Sequence, residues 1–141
     1  MQPLTGVKVV EIANNIAGPY AGYILAMLGA EVLKIEPPWG AELRLLGPQR
    51  PTGRSAYFDA VNAGKTTRRM DLRDAAVRTE FLELVRTSDI LIESFRPGTL
   101  ACLGLGYESL KAINPKLIYC SLNGFGCFGP LADVPAHDIN Y

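Results

Sequence analysis

VKVVEIANNIAGPYAGYILAMLGAEVLKIE, residues 7–36, contains the pattern that decides the fold. The β-branched run VKVVEIA (7–13) predicts a buried strand, and EVLKIE (31–36) predicts a second one. Between them, GPYAGYILAMLGA (18–30) predicts a helix, with Pro19 tolerated in its first turn. A strand, a helix and a strand within about thirty residues form a βαβ unit, which implies a parallel sheet with a right-handed crossover.

The remainder of the chain continues this alternation of strands and helices. Further strands are predicted at TTRRMDL (66–72), DILIESF (89–95) and KLIYCSLNGFG (116–126). Helices are predicted at SAYFDAVN (55–62), DAAVRTEFLELVRTS (74–88, with Asp74 as its N-cap) and YESLKAINP (107–115). RPGTLACLGLG (96–106) predicts a turn that leads into a short helix. We therefore expect an α/β fold: a doubly wound, Rossmann-like parallel sheet of about five strands with helices on both faces.

The loop at 37–65 is rich in proline, glycine and arginine, and a loop of this length inside a compact domain usually carries function. Between Arg44 and Arg73 the chain holds seven basic residues but, as acids, only Asp59 and Asp71. The seven are Arg44, Arg50, Arg54, Lys65, Arg68, Arg69 and Arg73. Such a patch could bind a compact polyanion such as a phosphorylated cofactor, and it could equally be a solvated basic face.

Composition limits the classes of partner. The 141 residues are 48% hydrophobic and 20% charged, which is typical of a globular domain, and the formal net charge is zero. A nucleic acid or an anionic membrane would have no global electrostatic support, so we expect neither as a partner. The sequence lacks an apolar run of the ~20 residues that span a membrane, and its three cysteines form no C-x-x-C pair, so we expect a soluble cytoplasmic protein.

Three short motifs resemble known binding motifs, and two of them have the wrong spacing. AGKT (63–66) lacks the upstream glycine of a P-loop and precedes a strand instead of following one. Gly18 and Gly22 give G-x-x-x-G, not the G-x-G-x-x-G of a dinucleotide site, although Glu36 stands where such a site places its acid. SFRPG (94–98) ends a strand at the edge where α/β folds bind ligands, so its arginine could bind a phosphate or belong to an ordinary turn.

His137 is the single histidine of the chain and lies in AHDINY (136–141). If HDINY opens a helix, the positive end of the helix dipole favours the neutral imidazole, which is the form a general base needs. An incidental loop histidine is the alternative, and spacing alone does not decide between them.

The ordered series of these segments resembles the class III coenzyme A transferase superfamily, CaiB/BaiF type. That superfamily also contains carnitine and bile-acid CoA transferases and α-methylacyl-CoA racemase. The similarity runs from PLTGVKVVEIANNIAGPYAGYILAMLGAEVLKIEPP through NAGKTTRRMDLRD, SDILIESFRPG, LGLGYESL and NPKLIYCSLNGFG to AHDINY. Within the superfamily, HDINY is similar to the racemase branch.

The resemblance implies a set of site residues. His137 would be a catalytic base for one face of the substrate. Residues that line the coenzyme A and substrate site would be Asp71, Leu72, Arg73, Ser94, Phe95, Arg96, Ala136, Asp138, Ile139, Asn140 and Tyr141. No metal and no permanently bound cofactor are implied, because coenzyme A enters as part of the acyl-CoA substrate. Two arginines found in some members are replaced here, by Pro37 and Cys102.

The resemblance also implies an activity. We expect a racemase or epimerase of 2-methylacyl-CoA thioesters, which removes and returns the α-proton through an enolate. The alternatives are a CoA transferase that acts between carboxylic acids through an aspartyl-CoA thioester, and a non-catalytic CoA-binding remnant. Residues 1–141 would be the N-terminal part of the CoA-binding α/β large domain. Without the rest of that domain and the small domain we expect no activity, and at full length an interlocked homodimer.

Overall fold

Five parallel strands form one sheet in the computed structural model, which describes residues 1–136. The strands are β1 (Lys8–Ile12), β2 (Glu31–Glu36), β3 (Thr66–Arg69), β4 (Ile90–Glu93) and β5 (Ile118–Ser121). Their order across the sheet is β3-β2-β1-β4-β5. The chain builds outward from β1 to β3, then crosses back to β4 and β5 on the other side of β1. This is the doubly wound arrangement, so the predicted fold class is confirmed.

The connections between strands are helical. The helices are α1 (Ala17–Met27), α2 (Ala56–Asn62), α3 (Ala75–Arg86), α4 (Thr99–Cys102) and α5 (Tyr107–Ile113), and a short 3₁₀ turn covers Glu42–Arg44. Two helices begin at a side-chain cap, which satisfies backbone N–H groups that have no partner inside the helix. The Ser55 hydroxyl accepts from the backbone N–H of Phe58 at 3.2 Å, and the predicted cap Asp74 accepts from that of Ala76 at 2.7 Å.

Four strands are shorter than the sequence pattern predicts: β1 by one residue at each end, and β3, β4 and β5 by three residues or more. β3 ends at Arg69, so Asp71 and Leu72 lie in the loop that follows it. β4 ends because the Glu93 carboxylate accepts a hydrogen bond from the backbone N–H of Phe95 at 2.7 Å, which turns the chain away from the ladder. β5 likewise has only four residues. Apolar residues continue past β3, β4 and β5. One backbone hydrogen bond extends beyond β3, from Met70 to Glu36, and one extends beyond β5, from Leu122 to Glu93.

The two faces of the sheet bury separate apolar layers. Val10 belongs to the layer that contains Phe81 of α3 and is completed by residues of α4 and α5. Its neighbour Val9 points to the opposite face, where Ile92 and residues of α1 pack. Successive side chains of a strand alternate between faces, so the continuous apolar run of β1 serves both layers.

A buried charge cluster interrupts the layer beneath α1. Glu11 of β1 accepts from Lys34 Nζ at 2.7 Å and from Lys65 Nζ at 2.6 Å, and all three side chains are buried. Burial lowers the pKa of Lys65 although the Glu11 carboxylate opposes the shift. A Cβ on Gly22 would lie 2.1 Å from Glu11 Oε2, so the helix can pass over the cluster only with glycine there. The lysine of AGKT therefore has a structural partner, consistent with the failed P-loop spacing.

Candidate functional site

β2 and β3 lie on one side of β1, and β4 and β5 lie on the other side. The direction in which the chain adds strands to the sheet therefore reverses at β1. Carboxyl ends of strands at such a switch point form the crevice in which open α/β sheets bind ligands. A cavity of about 340 Å³ lies at this edge of the sheet. Residues that follow four different strands line it, among them Asn14, Trp39, Leu72, Arg73 and Phe95.

Four of the predicted site residues meet in this cavity. Asp71, Leu72 and Arg73 line one wall, and Phe95 lines the wall that follows β4. The Arg73 guanidinium holds Asp71 with two hydrogen bonds of 2.8 Å each, from Nε and Nη2. These bonds lower the pKa of Asp71 to about 2, so the carboxylate is ionised at neutral pH and already paired. Arg73 also lies 5.4 Å from the centroid of the Trp39 ring.

Ser94 and Arg96 do not line the cavity. The Ser94 hydroxyl accepts a hydrogen bond from the backbone N–H of Asn14 at 2.8 Å, which ties the end of β4 to the end of β1. The next residue, Asn15, lines the cavity with φ 57°, a left-handed conformation that asparagine tolerates better than most residues. Arg96 is exposed in the turn after β4. Contacts of Ser94 and Arg96 with a ligand stay predictions.

The last predicted site residues fall at the end of the chain. Ala136 is half-buried and has no regular secondary structure. His137, Asp138, Ile139, Asn140 and Tyr141 lie outside the described residues, so the expected catalytic base stays a prediction from the sequence.

Glu36 forms an ion pair that the sequence analysis missed. Its carboxylate accepts from Arg44 Nε at 2.7 Å, from Arg44 Nη2 at 2.6 Å and from the backbone N–H of Ala41 at 2.9 Å. Burial alone would raise the pKa of Glu36, but the hydrogen bonds from Arg44 and Ala41 outweigh it and the pKa is lowered. Arg44 stacks on Phe58, 3.7 Å from the ring centroid. Both carboxylate oxygens are occupied, so Glu36 is not free to accept ribose hydroxyls as the acid of a dinucleotide site does.

Trp39 is a second feature that sequence reasoning did not single out. Trp39 stands between Pro38 and Gly40 in the sequence. Its side chain is 67% exposed and lines the cavity. An exposed tryptophan at a cavity offers a flat apolar surface on which a planar ring can stack. The sequence could have indicated Trp39 through its position in the loop that directly follows β2, because loops at that edge of the sheet carry binding residues.

Among residues 1–136, no helix has the length and apolar composition that a membrane span requires. The same residues contain no group of three or more histidine, cysteine, aspartate or glutamate side chains arranged to hold a metal ion.

Comparison with known proteins assigns the family. The family model "CoA-transferase family III" matches residues 4–141. The chain belongs to CoA-transferase family III. The resemblance read from the ordered sequence segments is thus confirmed at the level of the family.

Two curated relatives of the chain in CoA-transferase family III are named as transferases. The acetyl-CoA:oxalate CoA-transferase of Acetobacter aceti is 46% identical over 137 residues, which is 96% of this chain and 35% of that protein. The succinate–glutarate CoA-transferase of Agrobacterium fabrum is 45% identical, over 96% of this chain and 36% of that protein. The chain therefore spans about a third of the length of these relatives.

Solved structures of the family have the same fold. A CaiB/BaiF family protein from Brucella suis superposes with a TM-score of 0.92 at 47% identity, over 98% of this chain and 38% of that one. Rv3272 from Mycobacterium tuberculosis superposes with a TM-score of 0.91 at 40% identity, over 99% of this chain and 39% of that one.

Proposed function

We propose that this chain is the CoA-binding N-terminal part of a CoA transferase, which moves CoA from an acyl-CoA thioester to a second carboxylic acid. The observation that carries the proposal is family membership together with relatives above 40% identity that are named as CoA transferases. These relatives favour the transferase alternative over the racemase that HDINY suggested.

The cavity at the switch point suits one end of such a substrate. CoA combines a flat adenine ring, a phosphorylated ribose and a pyrophosphate with a long arm that ends in the thioester. Trp39 and Phe95 offer aromatic surface, and Arg73 adds a guanidinium next to Trp39. We propose that Asp71 keeps Arg73 in place through their two hydrogen bonds, so that the guanidinium is ordered before the ligand arrives.

The transfer itself needs a nucleophile, and in this proposal the nucleophile is not one of residues 1–136. In transferases of the family an aspartate carboxylate attacks the thioester carbonyl and expels the CoA thiolate, which leaves a mixed anhydride. The thiolate then attacks the aspartyl carbonyl of that anhydride, releases the donor acid and forms the aspartyl-CoA thioester. The second acid takes over CoA through the same two steps in reverse, and the aspartate is freed. That aspartate would come from a region beyond Tyr141. The acyl-CoA substrate, the interlocked homodimer and the cytoplasmic location are likewise parts of the proposal.

Trapping with hydroxylamine tests the proposal in the full-length protein. An acyl-CoA donor is added, hydroxylamine follows, and the protein is analysed by mass spectrometry. A transferase gives an aspartyl hydroxamate on the polypeptide, because hydroxylamine attacks the activated aspartyl carbonyl. Omission of the donor is the control and should give no adduct.

The racemase remains a second candidate because His137 stands in HDINY. A racemase gives no adduct with hydroxylamine but exchanges the α-hydrogen of its substrate for deuterium in heavy water. In that case His137→Ala would lower the exchange rate by orders of magnitude, about the 10²–10⁴-fold that a general base contributes. Exchange without any adduct would contradict the transferase proposal, and the absence of both would favour a non-catalytic CoA-binding protein.

A further inference from the structure

Six of the seven basic residues between Arg44 and Arg73 have an acidic partner in the structure. These ion pairs are Arg44–Glu36, Arg50–Asp59, Arg54–Asp59, Lys65–Glu11, Arg68–Glu80 and Arg73–Asp71. Arg69 alone among the seven forms no ion pair with any residue in 1–136. Six of the seven basic side chains therefore contact a carboxylate, and within residues 1–136 the Arg69 guanidinium contacts none. Asp59 serves two of the six, Arg50 and Arg54.

Arg69 is the last residue of β3 and lies at the carboxyl edge of the sheet. It pairs in register with Glu36 at the end of β2. Its Nη2 lies 3.4 Å, and Glu36 Oε2 3.7 Å, from the point where a Cβ on Gly40 would stand. The guanidinium therefore packs against Gly40, directly after the Trp39 that lines the cavity.

Glu36 is the nearest acid along the sheet, and it cannot neutralise Arg69. Its two oxygens already accept three hydrogen bonds, two from Arg44 and one from the backbone N–H of Ala41. The ends of β2 and β3 thus present a paired carboxylate and a free cation. A site for an unphosphorylated ribose needs the reverse, a free carboxylate for the hydroxyls and no surplus positive charge.

We propose that Arg69 binds the phosphate monoester on the ribose of the ligand, which in CoA is the 3′-phosphate. This inference rests on the proposed function and adds that the site recognises the 3′-phosphate of CoA. A guanidinium binds phosphate through two parallel N–H donors, which an ammonium or an amide cannot match.

Paired titrations with CoA and dephospho-CoA test this inference, because the two ligands differ only in the 3′-phosphate. Trp39 is the single tryptophan of the chain, so its fluorescence reports binding at the cavity, and calorimetry supplies an independent affinity. We expect the wild-type chain to bind CoA about tenfold more tightly than dephospho-CoA, the effect of one charge-assisted contact. Arg69→Gln should abolish that preference by weakening CoA alone.

Arg68→Gln is the matched control. Arg68 precedes Arg69 in the same strand and pairs with Glu80 of α3, so its loss removes one exposed guanidinium without removing the proposed phosphate contact. It should retain the preference for CoA. Equal affinities of the wild-type chain for both ligands, or a preference that survives in Arg69→Gln, would overturn the inference and leave the proposed function standing. A wild-type chain that binds neither ligand would overturn the proposed function, and the inference with it.

Discussion

Glu11 places a carboxylate in the layer between the sheet and α1, and two ammonium groups meet it there. Lys34 Nζ also donates to the backbone carbonyl of Ala13 at 2.8 Å, and Lys65 Nζ to that of Pro19 at 2.6 Å. The cluster thus joins β1, β2, the first turn of α1 and the segment before β3. A buried charge is tolerated only when it is paired and hydrogen-bonded, so both lysines depend on the Glu11 carboxylate.

Glu11→Gln should lower the free energy of unfolding by about 3–5 kcal/mol, because it leaves two buried ammonium groups without a carboxylate. Urea denaturation followed by circular dichroism measures the change. Glu31→Gln is the control, since it makes the same substitution at the exposed first residue of β2, and it should change the free energy of unfolding by less than about 0.5 kcal/mol. Equal effects of the two substitutions would contradict the role of the cluster.

Site residues differed in how far the sequence could predict them. The resemblance pointed to Asp71, Leu72, Arg73 and Phe95, and the structure brings these four to one cavity. It could not point to the pairing of Glu36 with Arg44 or to the unpaired state of Arg69. Which charges neutralise one another depends on distances that exist only after the strands have been placed side by side.

Helix α3 shows how local chemistry sets the bounds of an element. Asp74 accepts hydrogen bonds from the backbone N–H groups of Ala76 at 2.7 Å and Val77 at 3.4 Å. On the inner face Phe81 and Val85 are buried against the sheet. The sequence predicted this helix because its cap and its apolar spacing agree. β4 ended earlier than predicted because the Glu93 side chain, not a change of hydrophobicity, stops it.

Asp74→Ala should lower the free energy of unfolding by about 1 kcal/mol, since the first turn of α3 loses its acceptor. Thermal and urea unfolding measure the loss. Asp74→Asn retains an oxygen in the same position and is the control, which should recover most of the stability. An alanine variant as stable as the asparagine variant would show that the cap does not contribute.

The whole molecule depends on the two layers on either side of the sheet. Phe81 is 0% exposed in the layer under α3, whereas Phe128 is 91% exposed in the loop after β5. Because β1 contributes Val9 to one layer and Val10 to the other, a loss in one layer should weaken the domain as a unit.

Phe81→Ala should lower the free energy of unfolding by about 3–5 kcal/mol, with a single cooperative transition. Phe128→Ala is the control: it removes the same atoms from a position already in solvent, and should change the stability by less than about 0.5 kcal/mol. Denaturation monitored in parallel by circular dichroism and Trp39 fluorescence tests both the size of the effect and its cooperativity. Two separated transitions in the Phe81→Ala variant would contradict the unity of the domain.

The sequence by itself determined the βαβ beginning and the parallel sheet, because apolar periodicity, helix caps and turn residues act over a few neighbouring positions. The family followed separately, from the resemblance of the ordered sequence segments to its members. Only the tertiary structure decided that Lys65 is buried against Glu11 and that both oxygens of Glu36 are hydrogen-bonded to Arg44. It also decided that Arg69 has no acidic partner in residues 1–136. Local patterns set which elements form. Charge pairing is settled by contacts between elements distant in the chain, and those contacts exist only once the sheet is assembled.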